Sequence, residues 1–323
     1  MKKKIAVLLF ALAALGFAFG LECVDSSKVN FIFADKAKGS EFLKTEDEFT
    51  DNLSEFDMSA RLKTSKKVTK AEYLDFISQQ AMDWSEAEKK SMNAAITEIK
   101  KLMKKYKIML PKDIYLVKTT GNEEGDSAYC RGQNVVVFSK NIIKQTDLNG
   151  KRDLLIHELF HIFSKNNLDV REKLYNSIGF YKTDELTLTP LMSQYKITNP
   201  DAVHNNYYFN GTVEGEKGKI MPILLAGTDY DEKKGGEFFD YMMLAFCPIV
   251  DGNDGPEVLT VNGKECLYTA NDVPEYFELI GENTDYIIHP EEVLADNFVL
   301  LITNSKNVKT KKIISDMKNI LKK

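Results

Sequence analysis

Leu154-Leu155-Ile156-His157-Glu158-Leu159-Phe160-His161-Ile162-Phe163 places two of the chain's four histidines four residues apart, with a glutamate directly after the first. On a helix, positions i and i+4 share a face with their Cβ atoms about 5–6 Å apart. At that spacing two imidazoles can hold one Zn²⁺ ion. Glu158, one step round the helix, then stands beside the ion without binding it, where a carboxylate can accept a proton from a water. Leu155, Ile156, Leu159, Phe160, Ile162 and Phe163 make the helix apolar nearly all round, so it is expected in the interior. Titratable groups on a buried helix are costly unless paired or bound to a metal. That cost argues against a surface helix carrying chance histidines.

Two histidines leave such a site incomplete, because a catalytic zinc takes three protein ligands and keeps one position open. The outstanding candidate for the remainder is His289-Pro290-Glu291-Glu292-Val293-Leu294-Ala295-Asp296. Glu292 and Asp296 are again i and i+4 on one helix face, and Ala295 is small enough to let two helices approach closely. H-E-x-x-H with a later E-x-x-x-D resembles the gluzincin class of zinc metallopeptidases. The metzincin pattern does not fit, since Asn167 stands where its third histidine would be and Ser164 where its glycine would be.

The resemblance covers about 50 residues around the two motifs. It implies His157, His161 and Glu292 as zinc ligands, Glu158 as general base and later proton donor, and Asp296 as the residue that fixes the His157 tautomer. Glu292 lies 131 residues beyond His161, a longer interval than in compact gluzincins, and Glu291 and Glu185 are the other carboxylates open to the third-ligand role. The resemblance also implies a tyrosine or histidine that stabilises an oxyanion beside the metal. Tyr286, His289, His204 and Tyr208 are the candidates, with structural tyrosines and a solvated histidine as the plainer reading. Residues 134–138 have the place of the edge strand on which an extended peptide pairs main chain to main chain. An ordinary half-buried strand fits them equally well.

The composition suits an ordinary globular protein, with 43% hydrophobic and 28% charged residues over 323 positions. Lys2, Lys3 and Lys4, an apolar run over 5–19 and small residues around Ala18-Phe19-Gly20 read as a secretory leader. The run is shorter than the roughly 20 residues of a membrane-spanning helix. Removing the leader takes away three lysines and no acids, moving the formal net charge from −5 to −8. An acidic chain gives no reason to expect a nucleic-acid partner. The expected destination is therefore the periplasm, the cell surface or the medium. Membrane attachment is expected only if Cys23, placed as in a lipoprotein signal but preceded by Glu22, carries lipid. Cys23, Cys130, Cys247 and Cys266 make an even count in a disulfide-permissive compartment, with Cys247–Cys266 the favoured pairing.

Capping boxes at Thr69-Lys70-Ala71-Glu72 and Ser85-Glu86-Ala87-Glu88 open two helices. Lysines at 100, 101, 104, 105 and 107 near the end of the second read as a solvated face. Strands follow from Ile114, Asn149-Gly150 is the expected N-cap of the motif helix, and 207–209 with 220–225 suggest a hairpin. Helices are expected again over 272–280, 291–302 and 308–321. The expected fold is α+β and zincin-like: a small mixed sheet with the active-site helix beneath it and a helical C-terminal part. A leader over 1–20, a mostly helical lobe over 21–110 and a catalytic domain over 111–323 complete the organisation. The expected function is an exported zinc-dependent peptidase acting on peptides or proteins. The alternatives are an exported zinc-binding recognition protein without turnover, or a surface lipoprotein adhesin with a vestigial motif.

Overall fold

The computed structural model describes residues 21–323 apart from Asp254, so the leader expected over 1–20 lies outside the described residues. The chain has an α+β fold built on a mixed central sheet. Its strands Asn30–Phe33, Asp113–Thr119 and Val135–Ser139 run parallel in that order, and Tyr129–Arg131 pairs antiparallel at the far edge. Ala81–Met82 adds a short antiparallel stretch to the end of Asp113–Thr119.

Alternation along these strands assigns one set of side chains to each face. Ile114, Leu116, Cys130, Val136 and Phe138 join the cluster that holds the motif helix. Val117, Tyr129, Val135 and Val137 face the other way, into a cluster with Leu43, Tyr73, Leu74 and Ile77. The motif helix, Leu148–Asn166, has Leu155, Ile156, Leu159, Phe160 and Ile162 fully buried. At about 1.5–3 kcal/mol for each large apolar side chain, that burial fixes the helix against the sheet more firmly than local propensity could. It starts earlier than Asn149-Gly150 suggested. Asp147 is the cap, its side chain accepting from the Gly150 N–H at 2.8 Å, which makes Asn149 and Gly150 part of the first turn.

The boundary expected at residue 110 does not separate two cores. Asn30–Phe33 is a strand of the central sheet, and the helix Glu86–Met103 packs directly on the motif helix through Met92, Ile96 and Ile99. The capping boxes at Thr69 and Ser85 are both present, so helix starts in this segment follow local chemistry while their placement follows the sheet.

Of residues 134–138, all but Asn134 fall within the strand Val135–Ser139, which is internal and buried at every position rather than an edge. Gly132, at φ +52°, turns the chain back so that Tyr129–Arg131 takes the edge instead. A second, antiparallel sheet runs Gly255–Val258, Met242–Gly252, Glu216–Ala226, Tyr207–Val213 and Tyr181–Lys182 in that order. Its expected hairpin closes through Glu214-Gly215, both at positive φ, as a two-residue turn of the primed kind requires.

All four cysteines are free. The antiparallel bridge between Phe246 and Tyr268 sets Cys247 opposite Leu267, so Cys266 is one residue out of register and on the other face. No helix among the described residues is long and apolar enough to cross a membrane.

A buried ion cluster ties the first small helices to the loop that reaches the site. The fully buried Arg61 binds Asp57 at 2.6 Å, binds Glu124 through Nε at 2.8 Å and Nη2 at 2.6 Å, and donates to the Thr198 carbonyl at 3.1 Å. Replacing Arg61 by Met keeps most of the volume but strands two buried carboxylates. The expected cost is about 3 kcal/mol, read from denaturant unfolding; a loss below about 1 kcal/mol would contradict this account of the cluster.

Candidate metal centre

Two helices meet to build the site. The helix Pro290–Thr303 packs on Leu148–Asn166 through Phe298, whose ring lies 5.4 Å from Phe160 and 6.4 Å from Phe163. Ala295 is fully buried, as the close approach of the helices demands. His289 caps this second helix, its Nδ1 accepting from the Glu291 N–H at 3.1 Å, and Pro290 occupies the first turn, where its missing N–H costs nothing.

That packing turns His157 and His161 toward Glu292. Nε2 of His157 and Nε2 of His161 both approach Glu292 Oε2, at 3.1 and 3.4 Å. One donor atom from each of the three residues lies within 4.8 Å of the others. The opposite nitrogens are held from behind: His157 Nδ1 by Asp296 Oδ1 at 2.9 Å and His161 Nδ1 by Glu291 Oε1 at 3.2 Å. Asp296 is steadied by the Thr284 hydroxyl, and Glu291 by Ser164 Oγ at 2.9 Å and by the Tyr175 hydroxyl. Asn199 Nδ2 donates to Glu292 Oε1 at 2.6 Å, leaving Oε2 as the oxygen turned to the histidines. Two imidazole nitrogens and one carboxylate oxygen, each oriented by a further hydrogen bond, form a donor set of the kind that would fit Zn²⁺.

The same contacts set the charges of the metal-free centre. Burial works against a charged imidazole at His157, but the bonds to Asp296 and Glu292 outweigh it and hold the group near 10. Burial likewise disfavours the Glu292 carboxylate, and the adjoining His161 and His157 bring it well below its usual range. Glu158 behaves differently. Burial, with the Asp201 charge acting in the same direction, pushes its carboxyl up to about 7. Cys130 Sγ donates to Glu158 Oε2 at 3.3 Å, and burial raises that thiol so far that it stays protonated.

An open cleft exposes one side of the centre. His157, Glu158, Glu292, Asp296, Asp201 and Tyr286 line it, with Ser127, Ala128, Leu154 and Val299. Tyr286 is 40% exposed, its ring 6.3 Å from that of His157. The outward N–H of Cys130 on the edge strand is taken by Asp201 Oδ1 at 3.0 Å, so only the residues just before that strand face the cleft.

Other sequence candidates lie elsewhere. His289 does not line the cleft, because capping its helix turns the ring toward Tyr175, 6.3 Å away, on the far side of Glu291. His204 pairs with Glu185 at 3.0 Å and stands near Glu48 at 3.6 Å, which accounts for both His204 and Glu185 away from the metal donors. Tyr208 packs on Tyr181 at 5.9 Å. Glu291 supports His161 from behind and does not join the converging donors. Residues that sequence reasoning did not single out are Asn199, Asp201 and Cys130; each comes from a loop or edge strand with no local signature.

Burial holds the His289 ring neutral, lowering it to about 4 from an unfolded value of about 6.5. The unfolded chain therefore takes up this proton first, and stability falls as pH drops from about 6.5 toward 4, on the order of 3 kcal/mol over that window. His289→Asn, which keeps a capping side chain, is expected to flatten that part of the pH–stability curve measured by chemical unfolding. An unchanged slope would remove His289 from the acid response.

No protein-family model, curated protein sequence or solved structure matches the chain.

Proposed function

We propose that the chain is an exported zinc-dependent peptidase with a gluzincin-like centre on a zincin-like fold. The observation that carries this reading is the approach of His157 Nε2 and His161 Nε2 to one oxygen of Glu292, with Glu158 beside them but outside the donor set. A zinc ion in this set supplies Lewis acidity toward a carbonyl and lowers the pKa of a water to about 7. Glu158, on the cleft wall beside the donors with its carboxyl raised by burial, is the carboxylate placed to accept a proton and pass it to a leaving amine. Asp296 and Glu291 hold the imidazoles in the tautomer that turns Nε2 to the centre. Tyr286, on the cleft wall, is the hydroxyl best placed to donate to an oxyanion, and the main chain before Tyr129–Arg131 offers a short edge to an extended peptide.

Metal analysis with a broad peptide-library digest, run with and without chelator, tests the proposal. Stoichiometric zinc with chelator-sensitive cleavage is expected. Bound zinc with no cleavage of any peptide would instead favour a recognition protein on the same scaffold.

A further inference from the structure

Behind the metal centre, on the far side of Glu291, lies a second, small pocket of about 50 Å³. It contains two donors with nothing to donate to. Arg171 Nε and the Tyr207 hydroxyl are both sealed from solvent and have no hydrogen-bond partner among the described residues. Both residues line this pocket, where the Arg171 guanidinium carbon lies 5.9 Å from the centre of the Tyr207 ring. Arg171 and the Tyr207 hydroxyl lie close enough to influence each other electrostatically, but no hydrogen bond of ordinary distance and angle joins them. A buried donor left unmatched keeps the full penalty of losing its water, and a charged one more so, which is a reason to look for an acceptor that completes both.

The surrounding charges leave Arg171 as the cation without a carboxylate. Glu172, next in sequence, is bound by Lys182 at 3.0 Å. Asp201 takes the Cys130 N–H and lies 3.6 Å from Lys165. Glu291 is already held by Ser164, Tyr175 and His161, and Glu48 lies beside His204. Arg171 forms no ion pair within 4.0 Å among the described residues, and its planar fork matches a carboxylate through two parallel bonds.

The geometry points to a carboxylate-binding site at Arg171 and Tyr207, in which the guanidinium takes both oxygens of the ligand and the tyrosine hydroxyl donates to one. The ligand is a small free acid or the carboxyl terminus of a peptide; both present the same group to the same donors. The site also adjoins the metal centre. Tyr175 packs on Tyr207 with ring centres 4.3 Å apart and donates to Glu291, which holds His161. The inference does not depend on hydrolysis at the metal.

The test is ¹³C-formate binding to the metal-loaded full chain, followed by NMR at fixed ionic strength with chloride as the balancing anion. Saturable binding is expected in the parent protein. Arg171→Gln should weaken it at least ten-fold, and Tyr207→Phe, which keeps the ring stacking, several-fold. If Arg171→Gln fails to fold by circular dichroism, Arg171→Lys and Tyr207→Phe carry the comparison, since lysine keeps the charge and loses the fork. Competition with N-acetylalanine and its amide separates the two sources. Displacement by the acid at least ten-fold more effective than by formate, with none by the amide, assigns the site to peptide termini. Equal displacement by N-acetylalanine and formate assigns it to free acids. Absence of saturable formate binding, or equal binding in the parent and both variants, overturns the inference.

Discussion

Replacing Glu158 by Gln is expected to lower chelator-sensitive peptide hydrolysis by about 10²–10⁴-fold, the range for loss of a general base, with zinc content unchanged. The separation of the two effects follows from position. Glu158 projects one step round the helix from His157, and the converging donors are His157, His161 and Glu292 without it. Its neighbours are Cys130 and Asp201 instead. An amide of the same shape can still accept from the Cys130 thiol, so folding and metal affinity should survive while the proton acceptor is lost. Zinc stoichiometry by mass spectrometry and turnover of a cleaved library peptide give the two readings. Full activity in the variant would exclude Glu158 as the base; loss of zinc together with activity would place Glu158 among the ligands.

The helices that carry the site were legible because each bears a local pattern. Two i, i+4 pairs, one of histidines and one of carboxylates, mark faces that a helix brings together whatever the rest of the chain does. Caps at Thr69 and Ser85 are similarly local and stand where the sequence put them. What the sequence left open is tertiary. Glu291 and Glu292 are neighbours of identical chemistry, and only the rotation of their helix, set by Phe298 against Phe160 and Phe163, turns one inward and the other behind His161. Asn199 and Asp201 sit on a loop anchored at Thr198 by Arg61 and Asp57, a dependence spanning more than 130 residues that no window of sequence displays. The edge strand was misplaced for a related reason. Val135–Ser139 reads as a strand from its β-branched run, but its neighbours on either side depend on where Gly132 folds the chain.

The arrangement around Glu291 and Glu292 makes an unequal pair of substitutions. Glu292→Ala removes a converging donor and should lower zinc affinity by far more than 100-fold, because a supporting hydrogen bond alone is worth about 10–100-fold. Glu291→Gln and Asp296→Asn leave the three donors in place. Each removes a charge from behind one imidazole, and each should cost zinc affinity about 10–100-fold. The two supporting variants also differ from one another in a predictable way. Glu291 is buried and shared by Ser164, Tyr175 and His161, so its amide cannot satisfy all three, whereas Asp296 is partly open to the cleft and bonds only Thr284 and His157. Glu291→Gln is therefore expected to lower folding stability as well as affinity, and Asp296→Asn chiefly affinity. Competition against a zinc-chelating dye gives the affinities, and thermal unfolding of the metal-free chains gives the stability difference. Should Glu291→Gln cost as much affinity as Glu292→Ala, the helix must be turned so that Glu291 is the third donor. The hydrogen bonds that now hold Glu291 to Ser164 and Tyr175 would then have to be broken when zinc binds.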